Sequence, residues 1–397
     1  MNDRQLQSEN NSTTLALGSG GVLGIAHIGV IKAFIRAGLI NQITDVWGSS
    51  IGALIGLFAA LNFSEDEIID FLHYGIDLTK FPDSVIPDYT KYFTLHSNLT
   101  AHSRFEAQLK SVYHPTRFFF NYAAGVVQAV KQMGECKGEY IEGVIERGIS
   151  SMIHGKYKDR LTQAISQAKV NSECKNEDGK ISQDTFNELS QIISGKKPLT
   201  FLALHQFRML APDLNLKDLY ITAVNVSARP IKLEIFSHET APDMPIKTAI
   251  HSSMAFPGKY APVKYQNRLY ADGGLLCTTP YEIIKKHNKN KKIIAVSFNK
   301  QSDTHSTYKP VSGILDYGRR LFSSIFIAQE TSRSTEDYKS FIHINAHGIP
   351  IFNFNISSET QDTLVEHGYN AANKYILANQ LDKAEQQETA TAGYLAI

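Results

Sequence analysis

The chain has 397 residues, enough to bury one large core or to form two domains. Its 40 lysines and arginines balance 39 aspartates and glutamates, whereas a nucleic-acid-binding domain would be markedly basic, so we expect no nucleic-acid partner. Three cysteines are too few for a disulfide framework, which favours a reducing compartment.

The N-terminal segment, residues 1–13, is polar and lacks the apolar stretch of a signal peptide. No run approaches the roughly 18 apolar residues that a membrane-spanning helix requires. We therefore expect a cytoplasmic protein that contacts membranes peripherally, and delivery into another cell is not excluded.

A glycine-rich loop, residues 18–24, follows a first predicted strand at 14–17 and precedes a predicted helix over 25–37 that Gly38 closes. Such a loop points backbone amides into open space, where they can bind a phosphate or stabilise an oxyanion. Dinucleotide binding would require an acid at the carboxyl end of the next strand. Asp45 comes before the apolar end of that strand, which disfavours the dinucleotide alternative.

The second motif surrounds Ser50, between a predicted strand at 43–47 and a helix that is apolar on nearly every side. Gly48 and Gly52 lie two residues on either side of Ser50, which is the spacing of a nucleophile elbow. Such a turn would present the Ser50 hydroxyl at a helix N-terminus. The same pattern also fits a strand, a turn and a helix without chemistry.

Beyond the elbow, residues 64–80 predict a helix with Ser64 as its N-cap. From 81 to 200 the chain leaves the strand–helix alternation and is mainly helical after 126. We interpret 81–200 as an insertion that forms either a lid over the site or a subdomain completing the core. Its aromatic residues at 118–122 fit either a core or a surface that meets a bilayer.

Two patterns in this region are similar to metal-binding motifs, but each lacks the ligands or the spacing that the motif requires. Residues 174–185 resemble a calcium-binding loop, yet Cys174 and Thr185 occupy its first and twelfth ligand positions. The histidines, including His96, His102 and His114, lack the spacing of a metal site. We therefore expect a surface turn at 174–185 and no bound metal.

Strands and helices alternate again after residue 198, which predicts a mainly parallel sheet with helices on both faces. We predict a catalytic domain over 14–300, a mainly helical extension over 301–380 that packs on the core, and a flexible tail over 381–397. The predicted elements are helices at 200–210, 246–253 and 358–379, strands at 219–225, 231–236 and 292–298, and an extended run that ends at Asp272-Gly273-Gly274.

The glycine loop, the Ser50 elbow and Asp272-Gly273-Gly274 occur in one order along the chain. This set resembles the patatin-like phospholipase family in its bacterial form, and the sequence Ser-Ser-Met-Ala-Phe-Pro-Gly at 252–258 strengthens the resemblance. The resemblance implies an α/β fold with a mainly parallel sheet flanked by helices. It covers about half of the chain.

The resemblance also implies the roles of four residues. Ser50 matches the nucleophile, and Asp272 matches the residue that orients and deprotonates it. Gly20 and Gly21 match the loop whose amides hold the oxyanion. Burial can raise the pKa of an aspartate far enough for it to act as the base without a histidine. No metal, nucleotide or other cofactor is implied.

Since a dyad suffices, we expect His27 and His251 to pack or to form hydrogen bonds rather than to complete a triad. The loop departs from the family pattern, because Ser19 takes the first glycine position and Leu23 takes the position of an arginine or lysine. The missing cation and the insertion suggest that a protein partner activates the enzyme.

We expect a phospholipid or lysophospholipid substrate, met at a membrane surface. The reaction would release a free fatty acid through an acyl-enzyme. The alternative is a catalytically weak membrane- or protein-binding module that retains the fold.

Overall fold

The computed structural model describes residues 12–80, 133–173, 182–287, 291–299, 310–311, 337–346, 348–349, 351 and 353–394. The strands within these residues are β1 Thr13–Leu17, β2 Ile43–Ser49, β3 Gly134–Cys136, β4 Asp218–Asn225, β5 Lys232–Phe236, β6 Gly258–Tyr260, β7 Val263–Tyr265, β8 Arg268–Asp272, β9 Lys292–Asn299 and β10 Phe341–Asn345. The helices are α1 Ala26–Arg36, α2 Ile51–Ala60, α3 Glu65–Asp70, α4 Glu139–Ile149, α5 Lys158–Glu173, α6 Gln183–Ile193, α7 Phe201–Leu210, α8 Ile246–Met254, α9 Tyr281–His287 and α10 Ser358–Tyr394.

The main sheet confirms the predicted fold class. Strands β10, β9, β1, β2 and β4 lie side by side in that order and run parallel, while β5, β7 and β8 are antiparallel to their neighbours. Every residue of β1 and β4 is buried, as expected for a sheet covered on both faces. Strands β3 and β6 form a separate parallel pair.

Strands β2 and β8 lie end to end on the same side of β4. Thr222 of β4 pairs with Ser49 at the end of β2, and the next residue, Ala223, pairs with Asp272 at the end of β8. Strand β5 pairs with both Thr222 and Ala223 on their other side. The last residues of β2 and β8, which are far apart in the sequence, therefore lie next to each other beside β4.

The described helices of the insertion share one hydrophobic core with the sheet. Ile141 and Val144 of α4 and Phe186 of α6 are almost fully buried in the cluster that also contains Leu15 and Leu17 of β1. In its described part the insertion therefore completes the core. Residues 81–132, including the aromatic stretch at 118–122, and most of the 174–185 segment lie outside the described residues.

One predicted helix is shorter in the structure than expected. The helix predicted over 64–80 ends at Asp70, after which the chain forms a wide turn at Phe71–Gly75 and a short one at Leu78–Lys80. The Ser64 cap is correct, because its hydroxyl accepts a hydrogen bond from the Glu67 amide. Helix α3 ends where the chain widens into a π-helical turn that buries Leu72 in the core.

The C-terminal region contains a strand that we did not predict and a final helix that is longer than we predicted. Strand β10 pairs with β9 and extends the main sheet beyond residue 300, where we predicted a mainly helical extension. Helix α10 packs along α1 and continues to Tyr394, within the segment 381–397 that we predicted as a tail. Alanine, glutamate and glutamine dominate that tail, and all three favour helical backbone even without apolar packing. None of the described helices, including this long polar one, could cross a membrane.

Candidate active site

Ser50 lies in a strained turn between β2 and α2. Its backbone has φ 54° and ψ −125°, a conformation that costs a non-glycine residue free energy. A side chain on Gly48 would collide with the backbone of Ala53, and one on Gly52 would collide with the Leu17 carbonyl. The two glycines therefore allow the turn, and the turn places Ser50 at the start of α2.

The Ser50 hydroxyl donates a hydrogen bond to the Asp272 carboxylate, with Oγ 2.7 Å from Oδ2. The other carboxylate oxygen, Oδ1, accepts from the Gly274 amide at 2.7 Å, which fixes the plane of the carboxylate. Gly273, between them, lies against the Thr222 backbone, where a side chain would not fit. The Asp-Gly-Gly sequence thus orients one aspartate oxygen toward the serine.

Burial dominates the electrostatics of Asp272, which is 4% exposed. It raises the pKa of Asp272 to about 7, although the hydrogen bonds from Ser50 and Gly274 favour the ionised form. A carboxyl group with that pKa can both accept and return a proton near neutral pH.

The glycine loop adjoins both residues. Gly24 contacts the Ile51 side chain next to Ser50, and the Ser19 hydroxyl lies 2.8 Å from the position that a Cβ of Gly274 would take. The Ser19 amide donates to the Thr278 carbonyl at 2.7 Å, and the Val22 amide donates to the Ile351 carbonyl at 2.9 Å. These bonds fix the loop at both ends.

Between those ends, the backbone amides of Gly20 and Gly21 have no hydrogen-bond acceptor among the described residues. They stand at the start of the short helical turn Gly21–Ile25, where amides have no partner within the helix. Gly21 has φ 56°, which favours glycine. The loop thus offers two donors that none of the described residues uses.

His27 supports this loop. Its Nε2 donates to the Gly18 carbonyl oxygen at 2.8 Å, and the ring is fully buried. Burial lowers the pKa of His27 to about 4, and the bond to Gly18 opposes this only in part. The ring is therefore neutral at pH 7.

His251 lies on α8 and bonds to Glu142 of α4, with Nδ1 2.7 Å from Oε1. Neither His251 nor His27 forms a hydrogen bond with Ser50 or Asp272 in the part of the chain that the structure describes. Within that part the serine and the aspartate form a pair without a histidine.

Two further hydroxyls belong to the site and carry no motif of their own. Ser253 of α8 accepts a hydrogen bond from the Ser50 amide at 2.8 Å, and Ser49 donates to the Cys277 carbonyl at 2.7 Å. The segment 252–258 contributed to the family resemblance, but its sequence does not indicate which of its two serines faces Ser50.

Asp45 lies near the opposite end of β2 from Ser50. Its carboxylate accepts hydrogen bonds from Thr14 Oγ1, Thr44 Oγ1, Trp47 Nε1 and Lys291 Nζ. A ribose would have to compete with these partners at the wrong edge of the sheet. The geometry is therefore inconsistent with the dinucleotide alternative.

One cluster away from Ser50 has the composition of a metal site, namely His205, Asp218 and His238. The two imidazole rings are stacked, with centroids 4.1 Å apart and planes within 7°, so their in-plane lone pairs do not converge on one ion. The Arg208 guanidinium also lies 3.0 Å from the Asp218 carboxylate. We interpret the cluster as a set of ion pairs and assign no metal to it.

Fold and geometry together define an α/β protein with a hydrogen-bonded serine and aspartate where the parallel strand β2 ends. A family model described as patatin-like phospholipase matches residues 15–284, more than half of the chain. The chain therefore belongs to the patatin-like phospholipase family, which confirms the resemblance.

Individual relatives match to different extents. An uncharacterized protein of Acanthamoeba polyphaga mimivirus is 24% identical over 380 residues, 93% of this chain and 95% of that protein. A probable lipid hydrolase of Invertebrate iridescent virus 6 is 41% identical over 99 residues, 23% of this chain and 32% of its own length. Among solved structures, VipD from Legionella pneumophila is 18% identical with a TM-score of 0.49, over 93% of this chain and 67% of VipD.

Proposed function

We propose that the protein is a lipid acyl hydrolase of the phospholipase A or lysophospholipase type, with Ser50 as nucleophile and Asp272 as base. The observation that carries the proposal is the hydrogen bond of 2.7 Å from a serine in a strained strand-to-helix turn to a buried aspartate. Membership of a lipid hydrolase family supports a lipid ester as substrate.

In the first half of the reaction, Ser50 Oγ attacks the acyl carbonyl carbon while its proton passes to Asp272 Oδ2. The tetrahedral intermediate then collapses, the ester bond breaks, and the protonated Asp272 returns the proton to the leaving alcohol. The products of this half are an acyl-enzyme on Ser50 and a lysolipid. A raised pKa suits both roles of Asp272, because it must first take a proton and then release it.

In the second half, Asp272 removes a proton from water and the resulting hydroxide attacks the acyl-enzyme. The bond to Ser50 breaks, Ser50 Oγ regains a proton from Asp272, and a free fatty acid leaves. These steps balance without a metal or another cofactor.

The amides of Gly20 and Gly21 are the proposed oxyanion donors. They have no other acceptor among the described residues, and their loop adjoins Ser50. Removing one such donor typically costs about 3 kcal/mol of transition-state stabilisation. The two amides can therefore supply a large share of the rate enhancement even though Leu23, in the position of the family's cation, is buried and uncharged.

Ser50 and Asp272 are too deeply buried for a lipid to reach them directly, so we propose that the site opens at a membrane. Ser50 is 8% exposed and Asp272 is 4% exposed, so a lipid ester reaches them only after neighbouring groups move. We propose that peripheral membrane contact, an activating protein partner or both drive this movement. Delivery of the protein into another cell is compatible with the same mechanism.

Release of fatty acid from mixed phospholipid vesicles, followed by mass spectrometry, tests the proposal. Ser50→Ala and Asp272→Asn should abolish release, whereas Ser252→Ala, on the neighbouring helix, should not. Each protein is assayed with and without cell extract, and equal rates would remove the proposed partner. Full release by Ser50→Ala, or none by wild type under any condition, would contradict the proposed mechanism.

The alternative is a membrane- or protein-binding module that retains the fold without catalysis. The burial of Leu23 in place of a cation is the observation in its favour. A module of this kind would bind vesicles equally well with Ser50→Ala and would release no fatty acid.

A further inference from the structure

The C-terminal turn of α8 contacts both members of the serine–aspartate pair. Ser253, fully buried, accepts a hydrogen bond from the Ser50 amide at 2.8 Å. Two residues later, the Ala255 carbonyl accepts a hydrogen bond from the Asp272 amide at 2.9 Å. One short segment of chain therefore holds the backbone of the serine and the backbone of the aspartate.

The bond to Ser253 has a particular consequence for Ser50. A strained turn persists only when its surroundings hold it, and this amide belongs to the residue with positive φ. Because Ser253 occupies the amide, the Ser50 N–H is unavailable to an oxyanion. Ser253 therefore fixes where Ser50 Oγ stands and does not itself stabilise the developing charge.

Helix α8 is also attached to the insertion, through His251 in its last turn and Lys247 in its first turn. His251 Nδ1 lies 2.7 Å from Glu142 Oε1 of α4, and Lys247 Nζ lies 2.5 Å from Glu146 Oε1 on the same helix. His251 and Ser253 are two residues apart on α8. A displacement of α4 would act on α8 through these contacts, two residues from Ser253.

We propose that α8 is a positioning element for the catalytic pair: Ser253 and Ala255 set the distance between Ser50 and Asp272, and the Glu142–His251 contact couples that distance to the insertion. The proposal deepens the proposed function and rests on it for its kinetic consequences. The hydrogen bond between the Ser50 amide and Ser253 can be tested even if the protein has no catalytic activity.

Ser253→Ala tests the first part, because alanine removes the acceptor and leaves the Ser50 amide buried and unpaired. We expect kcat to fall roughly 10- to 100-fold with little change in KM, since the nucleophile is misplaced while the lipid site is intact. Ser253→Thr keeps an acceptor oxygen and should restore most of the activity. Ser252→Ala is the matched control, because the Ser252 hydroxyl bonds back to Thr248 on the same helix.

Hydrogen–deuterium exchange of peptides covering 48–54 gives a readout that does not depend on catalysis. Exchange should accelerate in Ser253→Ala and remain at the wild-type rate in Ser253→Thr and Ser252→Ala. Unchanged exchange in a folded Ser253→Ala protein would overturn the positioning role. An inactive wild type with the expected exchange pattern would instead refute the proposed function alone.

Glu142→Gln tests the coupling to the insertion. We expect faster exchange over 48–54 and a smaller loss of kcat than in Ser253→Ala. Glu188→Gln is the control, because Glu188 pairs with Lys197 elsewhere in the insertion, with Oε1 3.0 Å from Nζ. If Glu142→Gln and Glu188→Gln gave the same exchange over 48–54, α4 would not be coupled to Ser50.

Discussion

Replacing Asp272 by asparagine removes the proposed base and should also stabilise the protein above neutral pH. Asparagine keeps the geometry, because its oxygen can accept from the Gly274 amide and its nitrogen can donate to Ser50. What disappears is the cost of an ionised carboxylate in a buried site. Raising the pKa of a carboxyl from 3.8 to about 7 corresponds to about 4 kcal/mol.

The pH window follows from the sign of the shift. In the unfolded chain Asp272 ionises near pH 4, whereas in the folded protein it holds its proton up to about pH 7. Between these values the folded state binds more protons, so this residue's contribution to stability is lost as the pH rises. Asparagine has no such dependence. The stability gain from Asp272→Asn should therefore be near zero at pH 4 and should reach its full value above pH 7.

Urea denaturation at a series of pH values measures this difference directly. We expect the free energy of unfolding of Asp272→Asn to exceed that of wild type by up to about 4 kcal/mol at pH 9. Asp218→Asn is the control with the opposite sign. Burial of Asp218 favours its protonated form, but His205 and Arg208 outweigh it and hold the pKa of Asp218 below its usual value. An Asp272→Asn protein no more stable than wild type at pH 9 would refute the reasoning.

Three further outcomes follow from local geometry, each measurable by urea denaturation. Gly52→Ala forces a Cβ against the Leu17 carbonyl and should cost about 1 to 3 kcal/mol. Gly143→Ala on α4 adds a Cβ that makes only an ordinary contact, 3.5 Å from the Arg147 guanidinium, and should stabilise by roughly 0.5 to 1 kcal/mol. Equal effects of the two substitutions would contradict the packing of the elbow. Ser64→Ala should cost about 1 kcal/mol through loss of the N-cap, and no loss would mean that the capping contact contributes nothing. His27 is neutral in the folded protein, with a pKa of about 4, so its contribution to the free energy of unfolding is lost as the pH falls from about 6.5 to 4, by up to about 3 kcal/mol. His27→Gln should remove this pH dependence of stability, and an unchanged pH dependence would refute the assignment to His27.

The sequence predicts the parts of the fold that depend on local pattern. Continuous apolar runs identify β1, β4 and β9, and the two glycines around Ser50 predict its strained turn. Strand β10 has the sequence Phe-Ile-His-Ile-Asn, whose alternation is a strand signal that the prediction overlooked. The order of strands depends on contacts between distant segments. No local pattern reveals that β8 continues the line of β2 along β4.

Some residues of the candidate site can likewise be identified from the sequence, and others only from the fold. Local motifs mark Ser50 and the glycine loop, the family resemblance points to Asp272, and the structure brings the three together. Ser253 could not be identified, because its role depends on which side of α8 faces Ser50, and Ser252 beside it has the same chemistry. The pKa of Asp272 likewise depends on burial, which only the assembled fold determines.

The central claim is that Asp272 activates Ser50 as a nucleophile, and the rate at which a fluorophosphonate labels the protein tests it most directly. We expect a single modified residue, Ser50, with a rate that rises through an inflection near pH 7, where Asp272 loses its proton. Asp272→Asn should label far more slowly and without that inflection, and Ser50→Ala should not label. Labelling at another residue, or an Asp272→Asn protein that reacts at the wild-type rate across this pH range, would contradict the claim.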